Sequence, residues 1–303
     1  SSAASDVYKR QITENRANVN PNLLNASMLG EIQGIPALFY NNSTFNGLYT
    51  INSGKDEKLF GFGDVPSNAG VLEAQNDFKD KGFGKPTIVI TDDITKEPTA
   101  DMEVQAGKTT PEFQAATNRL AQFVSQSDDA TFHDKFSQYL DLESVIDFLI
   151  FLQVAECSDS YIKNIEYTTY DGNIWLPIPY DLDSTWGLNW DGKTIFDPEM
   201  DMLNTGLTSK NFANFKLNML LNRTLKAFKP EIKARYAELR TSVLTPDKVT
   251  SMFEEFMDSV GTNAYARELS RWPDIPSTFF DFKTIRKNVI TRFRISDLVF
   301  KGL

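Results

Sequence analysis

Residues 142–192, LESVIDFLIFLQVAECSDSYIKNIEYTTYDGNIWLPIPYDLDSTWGLNWDG, carry the strongest structural signals in this chain. The first fifteen (142–156) are apolar nearly all round, which suits a helix buried inside a lobe rather than one lying on its surface. Asp159 follows that helix, and Lys163 and Asn164 come four and five residues after it. Residues 165–170 (IEYTTY) read as a strand, Asp171-Gly172 as a turn, and residues 173–180 (NIWLPIPY) as the returning strand. The second strand ends on Asp181-Leu182-Asp183.

The region before this stretch is mixed. Leu23, Leu24, Met28, Leu29 and Ile32 recur at helical spacing over residues 21–33. Residues 36–40 (PALFY) and 48–51 (LYTI) read as a hairpin whose turn ends in Asn46-Gly47, and residues 71–75 and 86–91 as further strands. From residue 110 the pattern turns helical. Thr110-Pro111 is a cap followed by proline in the first turn, Asp128-Asp129 opens a second helix, and Thr245-Pro246 a later one carrying Val249, Met252, Phe253 and Phe256 on one face. The expectation is an α+β chain. Residues 12–108 form a small mixed lobe and residues 109–303 a mainly helical lobe containing the hairpin segment 157–192. The Ser/Ala-rich residues 1–11 read as a tag or leader.

The chain has 303 residues, 41% of them hydrophobic and with 23 Phe, enough apolar material for a sizeable core. Its 41 acidic against 31 basic residues give a net charge of −10, which argues against a nucleic-acid partner. A nucleotide is still compatible, because a metal ion can bridge carboxylates to phosphates. A single cysteine, Cys157, forbids an internal disulfide, and a single histidine, His133, leaves little room for histidine-based triads or metal sites. No apolar run reaches membrane-spanning length, and the opening residues show no signal-peptide core, so neither membrane insertion nor a compartment is indicated.

The order buried helix, Asp159, Asn164, hairpin, Asp181-x-Asp183 has a chemical logic. A phosphoryl transferase needs a carboxylate beside the acceptor hydroxyl and a divalent ion held against the donor phosphates. Mg²⁺ usually takes only one or two ligands from protein. The spacing from Asp159 to Asn164 fits the D-x-x-x-x-N pattern of kinase catalytic loops, and Lys163 is a candidate to neutralise the transferring phosphate. Each piece also has a plainer reading: Asp159 as a loop or cap residue, Asp171-Gly172 as a turn only. Asp181-Leu182-Asp183-Ser184-Thr185 also fits the D-x-D-x-T nucleophile motif of haloacid-dehalogenase-like phosphatases, or the D-x-D of metal-dependent glycosyltransferases.

Residues 144–193 resemble the core of the CotH (spore-coat protein H) kinase family, and YDLDSTWG with WDG is similar to the form common in phage- or prophage-associated members. Residues 34–63 are similar to that family's GLYT…KD…F region. The resemblance implies an atypical protein-kinase-like fold that uses ATP and Mg²⁺ or Mn²⁺ to phosphorylate protein Ser/Thr, in a phage, spore-surface or cell-surface setting. It makes Asp159 the catalytic carboxylate, Asn164 and Asp181 metal ligands, and Asp183 a further metal-site carboxylate. Trp175 becomes a candidate adenine contact. Trp186, Trp190 and Asp191 match the family motif, as nucleotide contacts or as core and loop anchors. Two departures stand out: further N-terminal strands with a basic segment are expected in the family, and no G-x-G-x-x-G loop replaces them here. Asn52-Ser53-Gly54 also stands before Lys55 where many members carry Glu, so the sequence promises no Lys–Glu pair in the small lobe. The competing expectation is a non-catalytic structural or binding protein on the same fold.

Overall fold

The computed structural model describes residues 34–52, 54–74, 82–157, 159–161, 163–193, 196–203, 218–274 and 282–303. The helix expected over residues 21–33 and the leader 1–11 lie outside these. Strands β1 (Gly34–Asn41) and β2 (Thr44–Asn52) form an antiparallel hairpin. Strands β3 (Gly70–Ala74), β4 (Ile90–Thr91), β5 (Met102–Ala106), β6 (Ile165–Thr169) and β7 (Trp175–Pro179) form a sheet in the order β4-β5-β3-β6-β7. Only the β4–β5 pair is parallel. The sheet thus takes strands from both sides of residue 109. The helices are α1 (Pro111–Gln126), α2 (Asp129–Lys135), α3 (Leu142–Ala155), α4 (Met219–Ala227), α5 (Lys229–Thr241), α6 (Pro246–Val260), α7 (Thr262–Arg271) and α8 (Phe282–Gly302). The mixed α+β character expected from the sequence is what the structure shows.

Local chemistry sets the helix ends. Thr110 accepts from the Phe113 amide at 3.0 Å, with Pro111 in the first turn where a missing N–H costs nothing. Asp141 does the same for Ser144 at 2.7 Å, starting α3. Every residue of α3 from Ser144 to Ala155 is buried, as a segment apolar nearly all round predicts. Its one buried carboxylate, Asp147, is held by Arg235 of α5 through Nε–Oδ1 at 2.8 Å and Nη2–Oδ2 at 3.0 Å. A lone charge could not remain there.

The sheet has two unlike faces. Leu72, Tyr167 and Trp175 point toward α1 and α3 in the main core. Val71, Leu176 and Ile178 point the other way and are covered by Leu59, Phe60 and Phe62 from the segment after β2. Phe60 is fully buried, worth about 2–3 kcal/mol by apolar area alone, and its carbonyl accepts from the Tyr170 hydroxyl at 2.7 Å. Those contacts fold residues 55–62 down over the second face, where the candidate site lies.

Two expected elements differ. The β1–β2 turn falls at Asn42-Ser43, both at positive φ (47° and 62°), rather than at Asn46-Gly47. A two-residue loop with two left-handed residues matches the twist of a hairpin, and asparagine tolerates that region. Asn46 becomes the extra residue of a bulge, since Phe39 pairs with Gly47 and Tyr40 with Phe45. The strand expected over residues 86–91 shrinks to Ile90–Thr91. Side chains of α1 take the neighbouring backbone bonds instead: the Ile88 amide donates to Asn118 Oδ1 at 2.9 Å, and the Ile88 carbonyl accepts from Gln114 Nε2 at 2.5 Å.

Candidate active site

On the covered sheet face, pairing register assembles charge. Glu73 of β3 stands opposite Glu166 of β6 on one side and Glu103 of β5 on the other. Directly paired residues share a face, so three carboxylates line up across adjacent strands, an arrangement that repels unless compensated. Glu103 is compensated by the Ile94 amide at 3.1 Å and Gln105 Nε2 at 3.1 Å. The other two are compensated by Lys55. Its Nζ lies 2.5 Å from Glu73 and 4.0 Å from Glu166, and 4.1 Å over the Tyr180 ring. Burial works against the ammonium, but the bond and charge of Glu73 and the charges of Glu166 and Tyr180 outweigh it, so the Lys55 pKa is raised. Burial pushes Glu166 up to about 8 despite the nearby lysine.

Tyr180 links this cluster to the hairpin end. Its amide donates to the Asn164 carbonyl at 3.1 Å, so Asn164, just before β6, and Asp181, just beyond β7, sit at the same open end of the β6–β7 hairpin. Both are left-handed, at φ 56° and 50°. Asn and Asp enter that region more easily than other side chains, yet still at some cost, and such residues cluster where function fixes the backbone. Asn164 is buried with Nδ2 unpartnered; Asp181 and Asp183 are exposed. Asp159 opens a short 3₁₀ turn, Asp159–Tyr161; its side chain lies outside the described residues. Lys163 is half-buried.

The aromatic candidates divide. Trp175 is fully buried on the opposite sheet face, stacked on Phe113 with centroids 5.8 Å apart, so it is a core residue with no surface toward a nucleotide. The strand alternation that aims Leu176 and Ile178 at the site sends Trp175 the other way. Trp186 is buried too, edge-on to Phe253 at 5.9 Å. Trp190 is 67% exposed, and the Asp191 carboxylate accepts from the Lys193 amide at 2.9 Å.

Lys55, Glu73 and Glu166 are not marked as site residues by sequence spacing alone. Lys55 sits in the KD segment that resembles the family, but its carboxylate partners come from β3 and β6, which no local spacing marks. The Lys–Glu pair that the sequence did not promise is present, its glutamate supplied from β3 rather than from the strand before the lysine.

The donor set suits a phosphate-borne divalent ion better than a caged one. Among the described residues no three His, Cys, Asp or Glu side chains are grouped to hold a metal. Mg²⁺ carried on a nucleotide needs only one or two protein ligands, and Asn164 with Asp181 at one hairpin end offers that many. Three of the buried side-chain atoms without a hydrogen-bond partner, Asn164 Nδ2, Glu166 Oε1 and Thr168 Oγ1, lie on or beside the same face.

Fold and site together define an α+β protein whose sheet holds a lysine between two carboxylates beside an Asp-x-Asp loop. The chain belongs to the CotH kinase protein family, whose model matches residues 36–290, well over half of it. No curated protein matches the chain.

Proposed function

We propose that this protein is a metal-dependent phosphotransferase with a protein-kinase-like fold, moving the γ-phosphoryl group of ATP to a serine or threonine hydroxyl of a protein. The observation that carries the reading is Lys55, held 2.5 Å from Glu73 on the sheet face beside Tyr180-Asp181. A lysine fixed by a carboxylate is a charge already aimed for donor phosphates, with no ordering left to do on binding. In this reading Lys55 meets the phosphates, and Asn164 and Asp181, with Asp183 nearby in sequence, hold Mg²⁺ or Mn²⁺. Asp159 receives the proton of the attacking hydroxyl as the new P–O bond forms and ADP departs, while Lys163 offsets charge on the transferring group. Trp190 and Asp191, at the surface, remain candidate nucleotide contacts. The ion, when bound, neutralises charge on the phosphate oxygens.

The test is thermal stabilisation by ATP with Mn²⁺ or Mg²⁺, followed by transfer of labelled γ-phosphate to the chain itself or to a generic protein acceptor. Asp181→Ala and Lys55→Met should each abolish transfer; unchanged transfer in both variants would remove this site assignment. A second reading, a binding or structural component of a phage or cell surface, is favoured by the β1–β2 hairpin, which exposes Ile35, Phe39, Tyr49 and Ile51 at 49–63%. That reading expects no nucleotide-dependent stabilisation and a stable complex with a partner. Among the described residues no helix is long and apolar enough to cross a membrane.

A further inference from the structure

The end of α3 is held from an unexpected direction. Of its last four carbonyls, Leu152 accepts from the amides of Glu156 and Cys157, as a helix terminus commonly does. Ala155 accepts from the Trp186 amide at 2.7 Å. The remaining two, Gln153 and Val154, are taken by the guanidinium of Arg292 in α8. The same side chain donates through Nη1 to Pro198 at 3.1 Å and Met200 at 2.5 Å. Arg292 is fully buried, and the buried carboxylate of Glu156, the α3 C-cap, lies 4.0 Å from it. One turn earlier on α8, and therefore on the same helix face, Asn288 donates to the Trp186 carbonyl at 3.1 Å. The last helix therefore holds the end of α3, from which the chain leads into Asp159, and the segment that leaves Asp183 through Trp186 to Met200.

We propose that Arg292, with Asn288 beside it, is a positioning residue that sets the Asp159 and Asp181–Asp183 loops relative to each other, so that α8 governs whether the site is assembled. Its consequence for turnover rests on the phosphotransferase reading; its consequence for loop order does not. A guanidinium can satisfy four carbonyls at once because its donors are planar and fixed, whereas an ammonium at the same place has three donors at one point. A positive group at a helix C-terminus also opposes the helix dipole, so charge alone should rescue part of the function.

The experiment uses the full chain and three variants, Arg292→Lys, Arg292→Gln and Asn288→Ala, read by amide hydrogen exchange and by γ-phosphate transfer. Exchange should quicken about tenfold or more in peptides containing Glu156–Cys157 and Trp186–Gly187, while β6 and β7 keep their protection. Arg292→Lys should fall between the parent and Arg292→Gln. In an active parent, kcat should drop about tenfold or more with KM for ATP within about twofold, the mark of displaced rather than missing contacts. Should Arg292→Gln fail to fold, Asn288→Ala and Arg292→Lys decide, since each removes only part of the grip. A parent that neither binds nor turns over ATP would remove the phosphotransferase reading and leave the exchange result to judge the grip alone. Parent-like exchange at both loops in Asn288→Ala and Arg292→Lys, or loosening spread evenly through the sheet, would overturn the proposal.

Discussion

Replacing Glu166 by glutamine should change how stability depends on pH, in a direction the site fixes. Glu166 is buried and Lys55 already spends its short contact on Glu73, 2.5 Å away, leaving Glu166 at 4.0 Å. Burial raises its pKa from 4.5 to about 8, with Lys55 opposing and Glu73 reinforcing the rise. A folded-state pKa above the unfolded value means the folded protein keeps a proton that the unfolded chain releases. The contribution is therefore fully present below about pH 4.5 and is lost as pH climbs to about 8. At about 1.4 kcal/mol per unit, the window corresponds to roughly 5 kcal/mol at most, a large share of the ~5–15 kcal/mol that holds a domain together. Glutamine matches the shape of the neutral acid, so Glu166→Gln should lie within about 1 kcal/mol of the parent at pH 5. By pH 8.5 the variant should be the more stable by roughly 2–5 kcal/mol. Urea melts at pH 5, 6.5 and 8.5 measure this. The comparison has to be a difference between the two proteins, because Glu156, pushed up to about 7 by burial, tilts the parent's profile the same way. A constant difference between variant and parent across the three pH values would mean that Glu166 is ionised throughout, against this expectation.

Two further outcomes test the frame around the site. Asp147→Asn removes the buried carboxylate of the two-point pair, while Glu143 and Glu238, at 3.0 and 2.9 Å, still hold the Arg235 guanidinium, so it should cost roughly 1.5–3 kcal/mol in urea melts. Trp175→Ala removes a fully buried ring stacked on Phe113 and should cost about 3–5 kcal/mol. At a temperature where that variant remains folded, its nucleotide-dependent thermal shift should equal the parent's, since the ring faces away from Lys55; a selective loss of the shift would show otherwise.

Much of the chemistry-bearing segment was legible residue by residue. Residues 142–155, apolar nearly all round, require burial wherever they pack, and α3 is buried accordingly. Thr110-Pro111 and Thr245-Pro246 carry their capping geometry in two residues each, and α1 and α6 start there. Asp171 makes its own turn by accepting the Asn173 and Ile174 amides at 2.7 and 2.9 Å, so the β6–β7 hairpin needs no distant partner to be recognised. The misplaced hairpin turn at Asn46-Gly47 has the opposite lesson. Asn42-Ser43 closes the loop instead, and the Trp272 indole donates to the Asn46 carbonyl at 2.8 Å, a partner from the far end of the chain.

Local signals along the chain tell which residues cap, which turn and which must be buried, and they place Asp159, Asn164, Asp181 and Asp183 in order around one hairpin. Long-range packing sets Glu73 and Glu166 facing each other across a strand pair with Lys55 over them, makes Trp175 core, and brings Arg292 to the end of α3. The reason is that caps and periodicity act over a few residues, through bonds a short segment makes with itself. Strand register and burial come from packing partners far apart in the chain, and those two decide which way a side chain points and which charges must share a face.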